Sequence, residues 1–475
     1  MKEYDLIIIG TGSAMNLADP FLSKNPKAKI AVIDKDEPGG ICLTRGCIPS
    51  KLILYPAELV RMIDKFKDLN IDVEIKNIDF KGVMNRMRET IGHDIEQIRQ
   101  GLTHAEEIDY YPEKAEFVGP YTLKVGKKTI KSDLIFLCTG SKPTIPPIRY
   151  LEGAGYHTSK TILQIDELPE SLIIVGGGYI AAEYGHFFAA MGSKVTILGR
   201  NPQFLPQEEL EISKLAQAEL SKHMQIYTNH EVKEVRKTPE GKRQVVSINR
   251  ETNEELIEEA TEILIAAGRT HLNDILHPEV SGIEVNEKGW IKVNEFLETT
   301  QSGIWALGDA TGEHLFKHAA NYESKVVYYN ALLGRKRAVD YHAIPHAVFT
   351  YPEIAGVGLR EQEAVEQYGK DKIVIGFQLY ENTAKGEAMA VHDYFVKVIV
   401  NYETNQILGA HIIGPQASVL IQEIINLMYT HDRSTHPIQE GMHIHPALSE
   451  VVERAFYNLM NVDHYHEYLR HLKLE

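Results

Sequence analysis

The apolar positions of this chain gather first into short unbroken runs. Tyr4-Asp5-Leu6-Ile7-Ile8-Ile9 ends at Gly10-Thr11-Gly12, and Lys29-Ile30-Ala31-Val32-Ile33 ends at Asp34. β-Branched runs of this length bounded by glycine predict buried strands, so the segment reads as strand, glycine turn, helix, strand. The same unit returns far downstream as Ser171–Val175, Gly176-Gly177-Gly178, a helical stretch and Lys194–Leu198. Between the copies, Ile53 to about Gln100 places apolar residues at helical intervals. Ala115 to Asp133 alternates around Gly119-Pro120 and Gly126-Lys127-Lys128, which predicts a small β meander. Beyond Pro345, Val396–Val400 and Ile407–Ile413 read as strands on either side of a turn at Tyr402-Glu403-Thr404-Asn405, with a helix over Val419–Met428.

One glycine turn after a strand is weak evidence of nucleotide binding, but two copies, each with a polar residue after the second strand, are strong evidence. The expected class is therefore α/β: two Rossmann-like dinucleotide-binding domains plus a C-terminal α+β domain. In Gly10-Thr11-Gly12-Ser13-Ala14-Met15 the first glycine permits the turn and the second lets a pyrophosphate approach the positive end of the following helix. Met15 stands where a small residue is expected, which loosens the fit of that helix on its strand. Asp34 is placed to accept hydrogen bonds from ribose hydroxyls.

Composition narrows the picture. A chain of 475 residues exceeds one ordinary core. Mean hydropathy of -0.23 and the lack of any apolar run near the roughly 20 residues of a membrane span predict a protein that does not cross a bilayer. The run after Met1-Lys2-Glu3 is too short and wrongly flanked for a secretory signal, so the expected compartment is the cytoplasm. The formal net charge of -16 argues against a nucleic-acid partner. Only three cysteines occur, too few for a disulfide-stapled fold or a multi-cysteine zinc domain. His464, His466 and His471 lack accompanying ligand spacing and read as surface histidines, so no metal is expected.

Two of those cysteines carry chemistry. In Gly39-Gly40-Ile41-Cys42-Leu43-Thr44-Arg45-Gly46-Cys47-Ile48-Pro49-Ser50-Lys51 the spacing can bring both sulfurs to one side of an opening helix turn, and a helix N-terminus favours the thiolate. Near the other end, Gly441-Met442-His443-Ile444-His445-Pro446-Ala447-Leu448-Ser449-Glu450 offers His445 as a base held by Glu450, tuned near neutrality for the proton of thiol exchange. Cys138, in Leu134-Ile135-Phe136-Leu137-Cys138-Thr139-Gly140, reads as a core thiol.

Together these motifs resemble the class I pyridine nucleotide–disulfide oxidoreductases across essentially the whole chain, closest in motif to dihydrolipoyl dehydrogenase. The resemblance implies FAD and NAD(P)H as cofactors. It assigns FAD-binding roles to Gly10, Gly12, Ser13, Asp34, Gly40, Lys51, Ala115, Thr139, Gly140, Asp309 of Gly308-Asp309-Ala310, and Leu315 to His318. NAD(P) roles fall to Gly176, Gly178, Tyr179, Ile180, Glu183, Arg200, Gly268 and Arg269. In the family the second cysteine faces the flavin and the first exchanges with substrate, giving those roles to Cys47 and Cys42. Lys51 and Glu183 resemble an ion pair beside flavin N5, Tyr179 a nicotinamide gate, and Ala115 an adenine contact. The family histidine reaches the cysteines of another subunit, so His445 implies a homodimer. The implied domains are 1–147 for FAD, 148–274 for NAD(P), 275–345 completing the FAD site, and 346–475 for dimerisation.

The second strand of the downstream unit ends Leu198-Gly199-Arg200-Asn201, with a cation where an NAD enzyme usually has an acid; Arg200 thus favours NADPH. The family shares its machinery among lipoyl, glutathione-like, mycothiol-type and mercuric substrates. Cys47–Lys51 and Gly409-Ala410-His411-Ile412-Ile413-Gly414-Pro415 look most like dihydrolipoyl dehydrogenase, with a lipoyl-carrying enzyme complex as a candidate partner. Arg200 and Gly10-Thr11-Gly12-Ser13 resemble NADPH-dependent reductases of small disulfides. No cysteine follows Cys138, which disfavours mercuric reductase. A flavin NAD(P)H oxidase or transhydrogenase without thiol exchange is the alternative from another class.

Overall fold

The computed structural model describes residues 1–474. Two five-stranded parallel sheets organise most of the chain, and they share one plan. In the first, Leu6–Ile9 lies centrally between Ile30–Ile33 and Ile135–Leu137, with Ile108–Tyr111 and Ile304–Ala306 at the edges. In the second, Ser171–Val175 lies centrally between Lys194–Leu198 and Glu262–Ile265, with Gln225–Tyr227 and His157–Thr158 at the edges. Each central strand is fully or almost fully buried, as unbroken apolar runs require of strands covered on both faces.

A glycine turn follows each central strand. Gly10 has φ +102, and a Cβ there would come within 2.0 Å of the Cys138 carbonyl oxygen; Gly176 has φ +142, and its Cβ would meet the Ala266 oxygen at 2.2 Å. Both positions need glycine for backbone sign and for space. The turns then diverge. The second leads straight into a 13-residue helix, Tyr179–Met191. The first passes through a 3₁₀ turn, Ser13–Leu17, before a seven-residue helix, Ala18–Lys24. Met15 is half-buried against the cluster containing Ile8 and Leu17, and the 3₁₀ turn accommodates its side chain where a small residue is expected.

The helical excursion is two helices, Cys47–Asp64 and Phe80–His104, and the meander forms as Ala115–Gly119, Thr122–Val125 and Lys128–Lys131. A three-stranded antiparallel sheet, His230–Lys237, Arg243–Asn249 and Glu255–Ala260, was not anticipated by the hydrophobic pattern. Its strands carry charged residues on the exposed face, which dilutes the apolar signal.

The C-terminal unit is a six-stranded sheet in which Phe395–Asn401 is buried throughout. Val396, Val398 and Val400 face the helices Ala417–Met428 and Ser449–Tyr457, while Phe395 and Ile399 join a core shared with the second parallel sheet. By the period of two, Lys397 points with Phe395 and Ile399 into that shared core. It is 0% exposed and answered by Glu211 at 2.5 Å, Glu361 at 2.7 Å and Glu209 at 3.3 Å. No helix among the described residues is long and apolar enough to cross a membrane.

Candidate functional site

The first glycine turn, the Cys42–Cys47 segment and the second unit's helix Tyr179–Met191 enclose one cavity. Its lining includes Gly10, Gly12, Ser13, Asp34 and Ala115, then Thr139, Gly140, Asp309 and Leu315, and also Gly40, Cys42, Cys47 and Lys51 together with Tyr179, Ile180, Glu183 and Arg269. Asp34 Oδ2 accepts from Thr11 N at 2.9 Å and Thr11 Oγ1 at 2.6 Å, and Oδ1 accepts from Asp36 N at 3.0 Å. The carboxylate is thereby oriented with lone pairs to spare for hydroxyl donors. Asp309 accepts from the Ser141 hydroxyl, and Arg269 Nε holds the same hydroxyl at 2.7 Å.

Cys42 lies in the helix Gly40–Arg45 and Cys47 opens the helix Cys47–Asp64, with the break at Gly46. The break is essential. In one continuous helix, residues five apart would point about 140° from each other. The chain turns at Gly46, at φ -131 and ψ -116, and the two thiols come into hydrogen-bonding contact. Both are reduced. The hydrogen bond from Cys42 pulls the Cys47 thiol down to about 7, with the Lys51 charge helping and burial opposing. Cys42, as the donor and partly buried, is pushed up.

Lys51 lies one helical turn beyond Cys47. Its ammonium donates to Glu183 at 2.8 and 2.9 Å and sits 4.4 Å above the Phe349 ring. Glu183 also accepts from Phe349 N at 3.1 Å, so this buried carboxylate is well satisfied. Tyr179 packs 6.4 Å from Phe316, and burial pushes its hydroxyl up to about 12.

Several sequence candidates lie outside this wall. Gly176 and Gly178 shape the second turn, Gly268 follows the strand Glu262–Ile265, and Arg200 is exposed beyond the unit's second strand. His318 stacks on Phe316 at 5.2 Å and engages the Pro345 carbonyl through Nε2 at 2.7 Å, away from the cavity. His445 is 68% exposed; its Nδ1 meets Glu450 Oε1 at 3.0 Å, leaving Nε2 directed outward. Glu450 is fixed by Ala447 N at 3.2 Å and Arg454 at 3.1 Å, and the His445 bond holds its carboxyl below the usual range. Cys138 departs from a plain core thiol. It lines the cavity 3.9 Å from where a Gly12 Cβ would stand, and burial pushes it up to about 11. Lys317, inside the 315–318 stretch expected to line the flavin, also lines the wall and donates to Ser13 Oγ at 2.9 Å. Among the described residues no cluster suits a metal ion.

The pyridine nucleotide-disulphide oxidoreductase family matches residues 4–326, and its dimerisation domain matches residues 344–456. The chain belongs to this family. As a member it is an FAD- and NAD(P)-dependent oxidoreductase with a dimerisation domain and the mixed α/β architecture expected. It is 34% identical to mycothione reductase of Mycobacterium tuberculosis over 97% of this chain and 100% of that protein. It is 32% identical to dihydrolipoyl dehydrogenase of Synechocystis over 96% and 98%. Among solved structures, the HOCl-induced flavoprotein disulfide reductase RclA of Escherichia coli, in its Cu(II) complex, matches with a TM-score of 0.84 at 29% identity, covering 96% of this chain and 100% of that one. The residues of this oxidoreductase fit the cofactors of the family: a glycine cradle that a Cβ would fill, an oriented carboxylate for ribose, and a lysine ammonium at the turn.

Proposed function

We propose that this oxidoreductase uses NADPH to reduce a small disulfide through Cys47 and Cys42. The observation that carries the reading is the placement of the thiol pair: Cys42 and Cys47 sit on two helices that meet at Gly46, and both line the cavity that holds the Lys51–Glu183 pair and Tyr179. The first glycine turn, Asp34, Asp309 and Lys51 would hold FAD, which would supply hydride acceptance from the nicotinamide and electron-pair transfer to the cysteines. In the reduced pair Cys47 keeps the negative charge and Cys42 keeps the proton. A base must therefore act on Cys42 before it can attack, and His445 of a second copy, oriented by Glu450, takes that proton at Nε2. The Cys42 thiolate attacks one substrate sulfur, forming a mixed disulfide and releasing a thiolate that regains the proton from His445. Cys47 then attacks the Cys42 sulfur, closing the Cys42–Cys47 disulfide and releasing the second substrate sulfur. Substrate gains the electron pair that the cysteines lose.

Arg200 supports NADPH, since a guanidinium suits a 2′-phosphate and Gly199 stands where an NAD enzyme usually carries an acid. Arg250, whose Nη1 reaches the Arg200 carbonyl at 3.0 Å, adds a second cation there. The dihydrolipoyl reading, with a lipoyl enzyme complex as partner, rests on the 409–415 motif. That motif lies largely in the buried strand Ile407–Ile413, where His411 is 1% exposed and engages the Leu359 carbonyl at 3.0 Å. Its buried part packs the C-terminal sheet. The assigned domains are 1–147, 148–274, 275–345 and 346–475. The proposed compartment is the cytoplasm, where a nicotinamide pool would feed the enzyme.

The test is kinetic. NADPH should give the higher kcat/KM, and Arg200→Gln should erase the preference; a higher value with NADH in the unaltered protein overturns the NADPH assignment. Cys42→Ser should lose disulfide reduction while NADPH still bleaches the flavin. Undiminished turnover in that variant would favour an oxidase or transhydrogenase.

A further inference from the structure

We propose that Lys317 is a counter-ion for the diphosphate of bound FAD, held at the first glycine turn by Ser13. Six cationic side chains reach the cavity wall: Lys35, Arg45, Lys51, Lys114, Arg269 and Lys317. Lys35 and Arg45 each pair with Asp36 at 2.7 Å, Lys51 pairs with Glu183, and Arg269 lies 3.7 Å from Asp309. Lys114 is exposed to solvent. Lys317 is half-buried and, among the described residues, pairs with no carboxylate.

Its place on the backbone adds to the cost. Lys317 is the first residue of the helix Lys317–Val327, where the unsatisfied amide N–H groups already present positive charge. A cation in the first turn is disfavoured there, and no acid offsets it. An anion at that spot relieves both problems.

The neighbouring hydrogen bonds fix the direction. The Ser13 hydroxyl gives its single proton to Asn321 Oδ1 at 3.0 Å, so its lone pair is free to accept from Lys317 Nζ at 2.9 Å. Asn321 lies one helical turn after Lys317, and Asn16 Nδ2 steadies that turn through Ser324 Oγ at 3.2 Å. The ammonium is thus tied to the second residue past Thr11, at the mouth of the turn where a diphosphate approaches the backbone. Its two remaining N–H bonds are available to phosphate oxygens. The sequence motif names Ser13 for this site; the charge comes from a residue 304 positions away.

The test uses the holoprotein and reads cofactor retention. FAD release after dilution is followed by the return of flavin fluorescence over a series of NaCl concentrations, with the flavin midpoint potential measured alongside. Lys317→Met should release FAD about tenfold faster or more, with a shallower dependence on salt, and Lys317→Arg should restore both. The potential should stay put. Unchanged release from Lys317→Met overturns the proposal. So does a fallen potential with retention intact, which would put the charge at the isoalloxazine ring instead.

Discussion

Lys51 and Glu183 should move the ionisation of Cys47 in opposite directions. Lys51 is four residues after Cys47 in one helix, which sets the two side chains about 6 Å apart. At an effective dielectric of about 20, a unit charge at that distance favours the thiolate by roughly 3 kcal/mol, or about 2 pH units. Glu183, 2.8 Å from the Lys51 ammonium, cancels part of that field. Because Glu183 stays in place, Lys51→Met loses the whole favourable field of the ammonium, and the expected rise is about 2 units from the value near 7. Glu183→Gln removes the opposing charge and should lower it by a fraction of a unit. The assay is the pH dependence of iodoacetamide alkylation at Cys47, mapped by peptide mass in the reduced enzyme, where only the thiolate reacts. Wild type should become reactive above about pH 7, Lys51→Met only at higher pH, and Glu183→Gln at lower pH. Shifts of the same sign in both variants would refute the electrostatic account.

Three further outcomes are expected. Replacing His445 by Gln should slow thiol exchange about a hundredfold or more while FAD content is kept, and mixing that protein with Cys42→Ser should restore turnover in the mixed dimer; failure of the mixture would place the base within one chain. Burial lowers the proton affinity of His346, but Glu208, 2.9 Å away, overrides it and holds the histidine above its usual value. The pair's contribution is therefore complete below the unfolded value and is lost as pH rises through the folded one, so Glu208→Gln should depress the melting temperature more at pH 6 than at pH 8.5. Lys397→Met strands three carboxylates in the shared core and should cost about 3 to 5 kcal/mol, judged by thermal unfolding, with the loss shrinking as acid protonates them.

The legible parts of this molecule were those whose chemistry is local. Gly10 and Gly176 each follow a strand directly, so the duplicated nucleotide units could be read from short windows. The Cys42–Cys47 segment was readable as a pair, but not the means of pairing: spacing suggested one helix turn, whereas the contact needs a break between two helices. Lys51–Glu183 came through resemblance, because 132 residues separate partners that no local pattern connects. Lys397 was invisible for the same reason. A lysine reads as solvated surface until the fold surrounds it, and Lys397 alternates with valines in a way that mimics a strand with one wet face. His411, in the stretch that resembles dihydrolipoyl dehydrogenase, lies buried in the C-terminal sheet.

The smallest residue of the cysteine segment sets how much charge the molecule can bank. A Cβ on Gly46 would lie 2.8 Å from the Ile41 carbonyl oxygen and 3.3 Å from Cys42 Cα, so any side chain there pushes the two helices apart at the point where the sulfurs meet. On the proposed mechanism, a chain with the sulfurs separated retains only the electron pair its cofactor carries, and loses the second reservoir that lets donor and acceptor visit at different times. Gly46 thus fixes the redox capacity of the enzyme.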